Sequence, residues 1–186
     1  NKKKKIKFKH NNKNKTLVVD EVLAAFGRKP NIRKLCLENI GIKVKDGRIK
    51  LNKHLQTSGK NSFAAGDSSA NLEVVNVAVE EGRVAAVNMF SKKKEVVNYH
   101  QFPMAVFTHP EVAWVGLTET EAKAKKLNVQ VGKLPYEDLG KAVTYNETDG
   151  FIKILADKRT KRILGVSIIG YQASDIIHEA LPLLYF

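Results

Sequence analysis

The stretch Phe63-Ala64-Ala65-Gly66-Asp67, entered through Lys60-Asn61-Ser62, constrains the fold of this chain more than any other. It reads as a short apolar strand that ends in small residues and a carboxylate. After it, Val75-Asn76-Val77-Ala78-Val79-Glu80-Glu81-Gly82-Arg83-Val84-Ala85-Ala86 carries the apolar spacing of a helix that opens near Glu73 or Val74. A carboxylate at the exit of a buried strand sits at the C-terminal rim of a sheet, where α/β folds bind ligands. The small residues admit close approach of another backbone or a ligand. Free N–H groups at the helix start suit an electron-rich carbonyl or an anion. The same carboxylate can also be a turn or cap residue with a purely structural role, and these residues alone leave both readings open.

This stretch resembles the second flavin-binding segment of the FAD-dependent pyridine nucleotide–disulfide oxidoreductases, a family that includes glutathione reductase, dihydrolipoamide dehydrogenase and mercuric reductase. The resemblance implies that Asp67 accepts a hydrogen bond from the ribityl chain of FAD and that the backbone at Val75 meets the edge of the flavin ring. Other elements follow the family's order. Leu17 to Asn31, with Gly27-Arg28-Lys29-Pro30-Asn31 at its end, resembles the exit from the nicotinamide-nucleotide domain. Phe102 to Glu119 resembles the opening of the interface domain, and Asp149 to Ile154 with Ile163 to Gly170 its central hairpin. On the same resemblance, Gly27, Glu73 and Ala105 are the positions expected to meet NAD(P)H. The run Lys141 to Lys153, and Ser68 through Val77, resemble mercuric reductases more than glutathione reductases.

What the 186 residues lack is equally informative. The family's redox centre is a Cys-x4-Cys disulfide, whereas Cys36 is the one cysteine here. One thiol forms no intramolecular disulfide, so this chain by itself runs no thiol–disulfide cycle. Cys36 lies in the apolar run Ile32 to Leu37 and reads as a buried, inert thiol. No Gly-x-Gly-x-x-Gly fingerprint follows a strand. The family's His-Pro-Thr motif would follow a helix starting near Ala173, and the sequence ends at Phe186 ahead of it. The expectation is therefore a fragment of a longer enzyme, or a truncated gene product, with no catalytic residue, no metal site, no FAD held tightly and no turnover by this chain alone. In the intact enzyme, NAD(P)H would reduce FAD, FAD a dithiol, and the dithiol Hg(II) or a disulfide such as that of lipoamide. The alternatives are a non-catalytic dimerisation module and a basic binding protein.

The formal charge of +13 bears on the last of these. Eight of the 32 Lys and Arg residues fall within residues 1–15, which hold no acid, and the remainder stands at 24 against 19. Lys2 to Lys9 alternate around Ile6 and Phe8, and Asn11-Asn12-Lys13-Asn14 reads as a turn into Thr16-Leu17-Val18-Val19, which makes a β-hairpin with a solvated lysine face. A nucleic-acid arm would use the same lysines, but the segment has no arginine and no stacking residue beyond Phe8, so no nucleic-acid partner is expected. There is no signal peptide pattern and no apolar run long enough to span a membrane. With no disulfide framework the default is a reducing, cytoplasmic compartment and no membrane partner.

The chain is expected to be α+β. Residues 1–26 form the remnant of a nucleotide-binding α/β domain, 27–97 the returning piece of the FAD-binding domain, and 98–186 an interface domain that pairs as a homodimer, with an antiparallel sheet backed by helices. Thr118 caps a helix through Leu127, with acids early and lysines late. Val129 to Leu134, Gly150 to Leu155 and Arg162 to Ile169 read as strands, with Asp157 to Thr160 as a hairpin loop. Tyr171 to Leu181 reads as a helix that Pro182 kinks or ends. His109 reads as a turn residue, and neither His100 nor His178 has a companion for a metal.

Overall fold

A computed structural model describes residues 3–69 and 72–185. Lys2, Ala70, Asn71 and Phe186, on which parts of the hairpin, the 68–77 resemblance and the C-terminal reading fall, lie outside the described residues.

Strands β1 (Lys4–His10) and β2 (Lys13–Val19) pair from Lys4↔Val19 to His10↔Lys13. Their turn is only Asn11-Asn12, both at positive φ (47° and 58°), the mirror-image turn whose twist matches the strands. Alternation puts Lys5, Lys7 and Lys9 on one face of the ribbon and Ile6, Phe8, Leu17 and Val19 on the other. Residues 21–31 then run without regular structure, Leu23 and Phe26 being 92% and 97% exposed. Gly27 has φ +84°, but a Cβ there would meet nothing within 4 Å, so the backbone conformation and not a close approach calls for glycine.

Two short 3-10 turns, Arg33–Leu35 and Leu37–Ile40, precede the two-residue strands β3 (Val44–Lys45) and β4 (Arg48–Ile49). Ile32, Leu37, Ile42 and Ile49 gather into a small core. Cys36 is exposed, contrary to the sequence reading. It stands at φ +47° between the two turns, and this left-handed link sends Ile32 and Leu37 inward and leaves the thiol outside.

Lys60 to Asp67 does not form the expected strand. Phe63 makes one bridge, to Gln56, and Gly66–Ser68 is a 3-10 turn. A strand forms only where a partner strand offers a ladder, and among the described residues the backbone of this stretch pairs with just the 55–57 segment, at Ser62, Phe63 and Ala64. Helix α1 (Val75–Phe90) starts where its apolar spacing places it and buries Val77, Glu81, Val84, Ala85 and Asn88 on one face. Val84 and Ala85 pack with Leu55 and Val97 in a second core. Asn88 fixes the chain on either side, donating to His54 O and Glu95 O and accepting from Glu95 N–H.

The larger sheet is antiparallel and five-stranded, in the order β5 (Met104–Val106), β6 (Glu111–Gly116), β9 (Ile163–Gly170), β8 (Phe151–Asp157), β7 (Val129–Pro135). The Asp157 carboxylate closes the β8–β9 loop by accepting from Arg159 N–H and from Thr160 N–H and Oγ–H. Between β6 and β7, helix α2 (Glu119–Ala124) has a complete capping box between Thr118 and Glu121 but stops short of Leu127. Helix α3 (Gly140–Tyr145), absent from the sequence reading, buries Ala142 against the core. The C-terminal helix is broken into α4 (Ala173–Ile176), a 3-10 turn at Ile177–Glu179, and α5 (Ala180–Tyr185). Pro182 cannot bond the carbonyl of His178, and the interruption falls on that turn. Pro182 itself lies in the first turn of α5, where a missing N–H costs little. Ala113, Val115, Tyr136, Val166, Ile168, Ala173 and Ile177 form the core between sheet and helices. The α+β architecture with a helix-backed antiparallel sheet is thus the one expected from the sequence. His109 stands exposed in the tight β5–β6 connection, a turn residue as expected.

Candidate functional site

Ala65 is extended (φ −144°, ψ 161°) and delivers the chain into the Gly66–Ser68 turn, which packs on α1. Gly66 favours glycine through its backbone, and the space beside it is tight. Its φ is +72°, and a Cβ would stand 3.3 Å from Ala78 Cβ on the helix. Ser68 Oγ donates to Ala65 O and Ser69 Oγ to Gly66 O, so the turn closes on itself.

Asp67, carried on this turn, is 39% exposed at its side chain, and its Oδ2 accepts from Arg28 Nη1 at 3.0 Å. The helix that follows is open at its start. Val74 is extended (φ −130°, ψ 135°) and makes no side-chain cap, no side chain among the described residues accepts from the first-turn N–H groups, and Val75 is 77% exposed. Glu73, just ahead of the helix, is held by Arg48 Nη2 at 2.8 Å. The structure therefore presents an accessible carboxylate acceptor, a nearby guanidinium and a row of uncapped backbone donors on one turn–helix unit. Hydroxyl groups suit the carboxylate, and an electron-rich carbonyl suits the helix start.

Beneath the turn lies Glu81, 1% exposed. Its Oε2 accepts from Gly66 N–H at 2.6 Å and its Oε1 from Tyr99 O–H at 2.7 Å. The sequence reading passed over Glu81, Tyr99 and Arg28 as site residues. Glu81 carried a usable signal, because it occupies the inward position of the apolar spacing, four residues after Val77, while Glu80 points out and pairs with Arg83.

Of the three positions expected to meet NAD(P)H, two are brought together. Glu73 and Ala105 both line a cleft of about 470 Å³ between the start of α1, β5 and α4, together with Phe107, Ser174 and His178. Gly27 does not line this cleft. One wall is fixed by Glu111, whose Oε2 accepts from Ser174 N–H at 2.9 Å and Ser174 Oγ–H at 2.7 Å. These two bonds hold the Glu111 carboxyl below the usual carboxylate range. Burial, and then the charge of Glu111, push the Tyr136 phenol upward.

Comparison with known proteins covers both halves of the chain. The model described as pyridine nucleotide-disulphide oxidoreductase matches residues 1–82, and that of the pyridine nucleotide-disulphide oxidoreductase dimerisation domain matches residues 102–185. A dihydrolipoyl dehydrogenase of Bacillus subtilis (strain 168) is 39% identical over 165 residues, 89% of this chain and 35% of its own length. A mercuric reductase of Staphylococcus aureus is 36% identical over 171 residues, 91% of this chain and 31% of its own. Among solved structures, LpdA from Mycobacterium tuberculosis superposes with a TM-score of 0.80 at 25% identity, over 92% of this chain and 38% of that one. The HOCl-induced flavoprotein disulfide reductase RclA from Escherichia coli gives 0.77 at 28%, over 91% of this chain and 40% of that one. The chain thus spans about a third of the length of the curated relatives it matches.

Proposed function

The chain belongs to the pyridine nucleotide-disulphide oxidoreductase family, and from that premise we propose that it supplies the flavin-contacting turn and the dimerisation sheet of an FAD- and NAD(P)H-dependent enzyme. The observation that carries this reading is the pairing of an accessible Asp67 carboxylate with the uncapped start of α1 at Val75. The residues fit FAD. The carboxylate is a hydroxyl acceptor suited to the ribityl chain, and the first-turn N–H groups suit the electron-rich edge of the ring. FAD, when bound, supplies electron transfer between the nicotinamide and a dithiol. What this chain does is narrower. Asp67 orients the ribityl chain, the α1 start holds one edge of the ring, and Glu73 and Ala105 offer a cleft for the nicotinamide side. Gly27 keeps its assignment to NAD(P)H on resemblance alone. With a single cysteine, which is exposed, these residues provide no dithiol, and turnover by this chain alone is not expected.

For the substrate of the whole flavoprotein we take Hg(II) first, on the likeness of residues 141–153 to mercuric reductases. Lipoamide is the second reading, supported by 39% identity to a dihydrolipoyl dehydrogenase. Residues 98–186 are assigned to a homodimer, in a cytoplasmic enzyme without nucleic-acid or membrane partners. No helix among the described residues is long and apolar enough to cross a membrane.

The test is Asp67→Ala in the whole flavoprotein. Hydrogen bonds to a charged acceptor contribute about 1.5–3 kcal/mol, so FAD should dissociate about tenfold to a hundredfold more readily. Unchanged retention would remove the assignment.

A further inference from the structure

We propose that Glu81 is a positioning residue for the flavin contact, a role that rests on the flavin reading above and adds to it the group that sets the contact's geometry. Glu81 touches no surface a ligand could reach, being 1% exposed. It acts through its two oxygens. One accepts from Gly66 N–H at 2.6 Å, and the other from Tyr99 O–H at 2.7 Å. Gly66 is the residue immediately before Asp67 and stands at φ +72°, a conformation that costs conformational freedom to hold. Ser68 and Ser69 close the turn on itself, and the acceptor on the Gly66 N–H is the bond that ties that closed turn, with Asp67 on it, to α1. Because Glu81 belongs to α1, the same bond fixes the turn relative to the open helix start, and the two flavin contacts become one rigid unit. The bond to Tyr99 extends that unit to the residues leading into β5. A carboxylate buried in this way is costly unless its hydrogen bonds are made, and leucine would fill the same space with no such cost. The two bonds account for an acid on the apolar face of α1.

The experiment compares Glu81→Gln and Glu81→Leu with the native protein and with Asp67→Ala in the FAD-loaded flavoprotein. The readouts are FAD affinity, the flavin absorption spectrum, hydrogen exchange at the Gly66 amide and thermal unfolding. Glutamine keeps an acceptor for Gly66 and can donate to Tyr99 Oη, so E81Q should stay within about threefold of native in FAD affinity and Gly66 protection. E81L should lose about tenfold or more in both, with an altered flavin spectrum. An E81L protein that melts earlier but keeps native FAD affinity and Gly66 protection would overturn the proposal and leave Glu81 a stability residue. If E81L does not fold, E81Q decides alone, since loss of Gly66 protection in E81Q overturns the acceptor role. Weakened FAD binding in Asp67→Ala beside native binding in E81L would refute Glu81 only. Native FAD affinity in Asp67→Ala would refute the flavin reading itself, and Glu81's role with it.

Discussion

Removing the Glu111 carboxylate tests how the C-terminal helix is held. Helix α4 is only four residues long, and its preceding residue, Gln172, makes no side-chain cap. Glu111, on β6, supplies the missing acceptor from 63 residues away through Ser174 N–H and Oγ–H. A cap of this kind is worth about 1 kcal/mol, and a second hydrogen bond to a charged oxygen adds about 1.5 kcal/mol. Glu111→Ala should therefore cost about 2–3 kcal/mol, and Ser174→Ala about 1 kcal/mol, because the backbone bond survives. Urea unfolding of both variants and of the double mutant gives the coupling, expected at about 1 kcal/mol. The pH dependence has a definite sign. The folded carboxyl lies below its ordinary value because of Ser174, so its contribution is complete above the unfolded value of about 4.3. It is lost as pH falls through the lower, folded value. The gap between native protein and Glu111→Ala should be flat from neutral pH down to about 5.5 and shrink below about 4. A cost under about 0.5 kcal/mol at neutral pH, or a gap that widens on acidification, would refute the reasoning.

Gly170→Ala should fail on sterics. Its Cβ would stand 2.3 Å from Tyr136 Cζ, with φ at +155°, and a loss of about 3 kcal/mol or more is expected by thermal unfolding. Cys36 is exposed, so one thiol per chain should react with an aromatic disulfide reagent before denaturation; a thiol that reacts only after unfolding contradicts this. Residues 98–186 should associate, and sedimentation equilibrium at high micromolar concentration should show a dimer; a strict monomer removes that assignment. Phe107 at 82% and Val106 at 45% exposure are among the apolar side chains such pairing could cover.

Local signals were the legible ones. Thr118 and Glu121 lie three residues apart and satisfy each other, so the start of α2 could be read without knowing the fold. Three strands of the large sheet, β7, β8 and β9, are legible to within a residue or two, whereas β5 and β6 are not read as strands. Phe63 to Asp67 misled because strand formation depends on partners elsewhere in the chain, and the residues describe only the candidate strand. Helix α3 went unread because Gly140, Val143 and Thr144 are poor helix formers, and burial of Ala142 in the core overrides that preference. Around the candidate site, the small-residue run and the helix spacing mark where Asp67 and the start of α1 stand in the chain, while the assignment of Asp67 and Val75 to FAD comes from the resemblance alone. Arg28 was not, since its approach to Asp67 joins residues 39 positions apart across an irregular stretch.

The strand order β5-β6-β9-β8-β7 also sets a folding sequence. β8 and β9 are joined by a five-residue loop and β7 reaches β8 through residues 136–150, so these three can pair early, whereas β6 must wait for residues 117–162 to close a longer loop before it meets β9. The Glu111 clamp rides on β6, so α4 is fastened last. Glu111 variants should accordingly unfold faster with little change in folding rate, while variants in the β8–β9 loop slow folding. A chevron in which Glu111→Ala slows folding as much as Asp157→Ala would reverse that order.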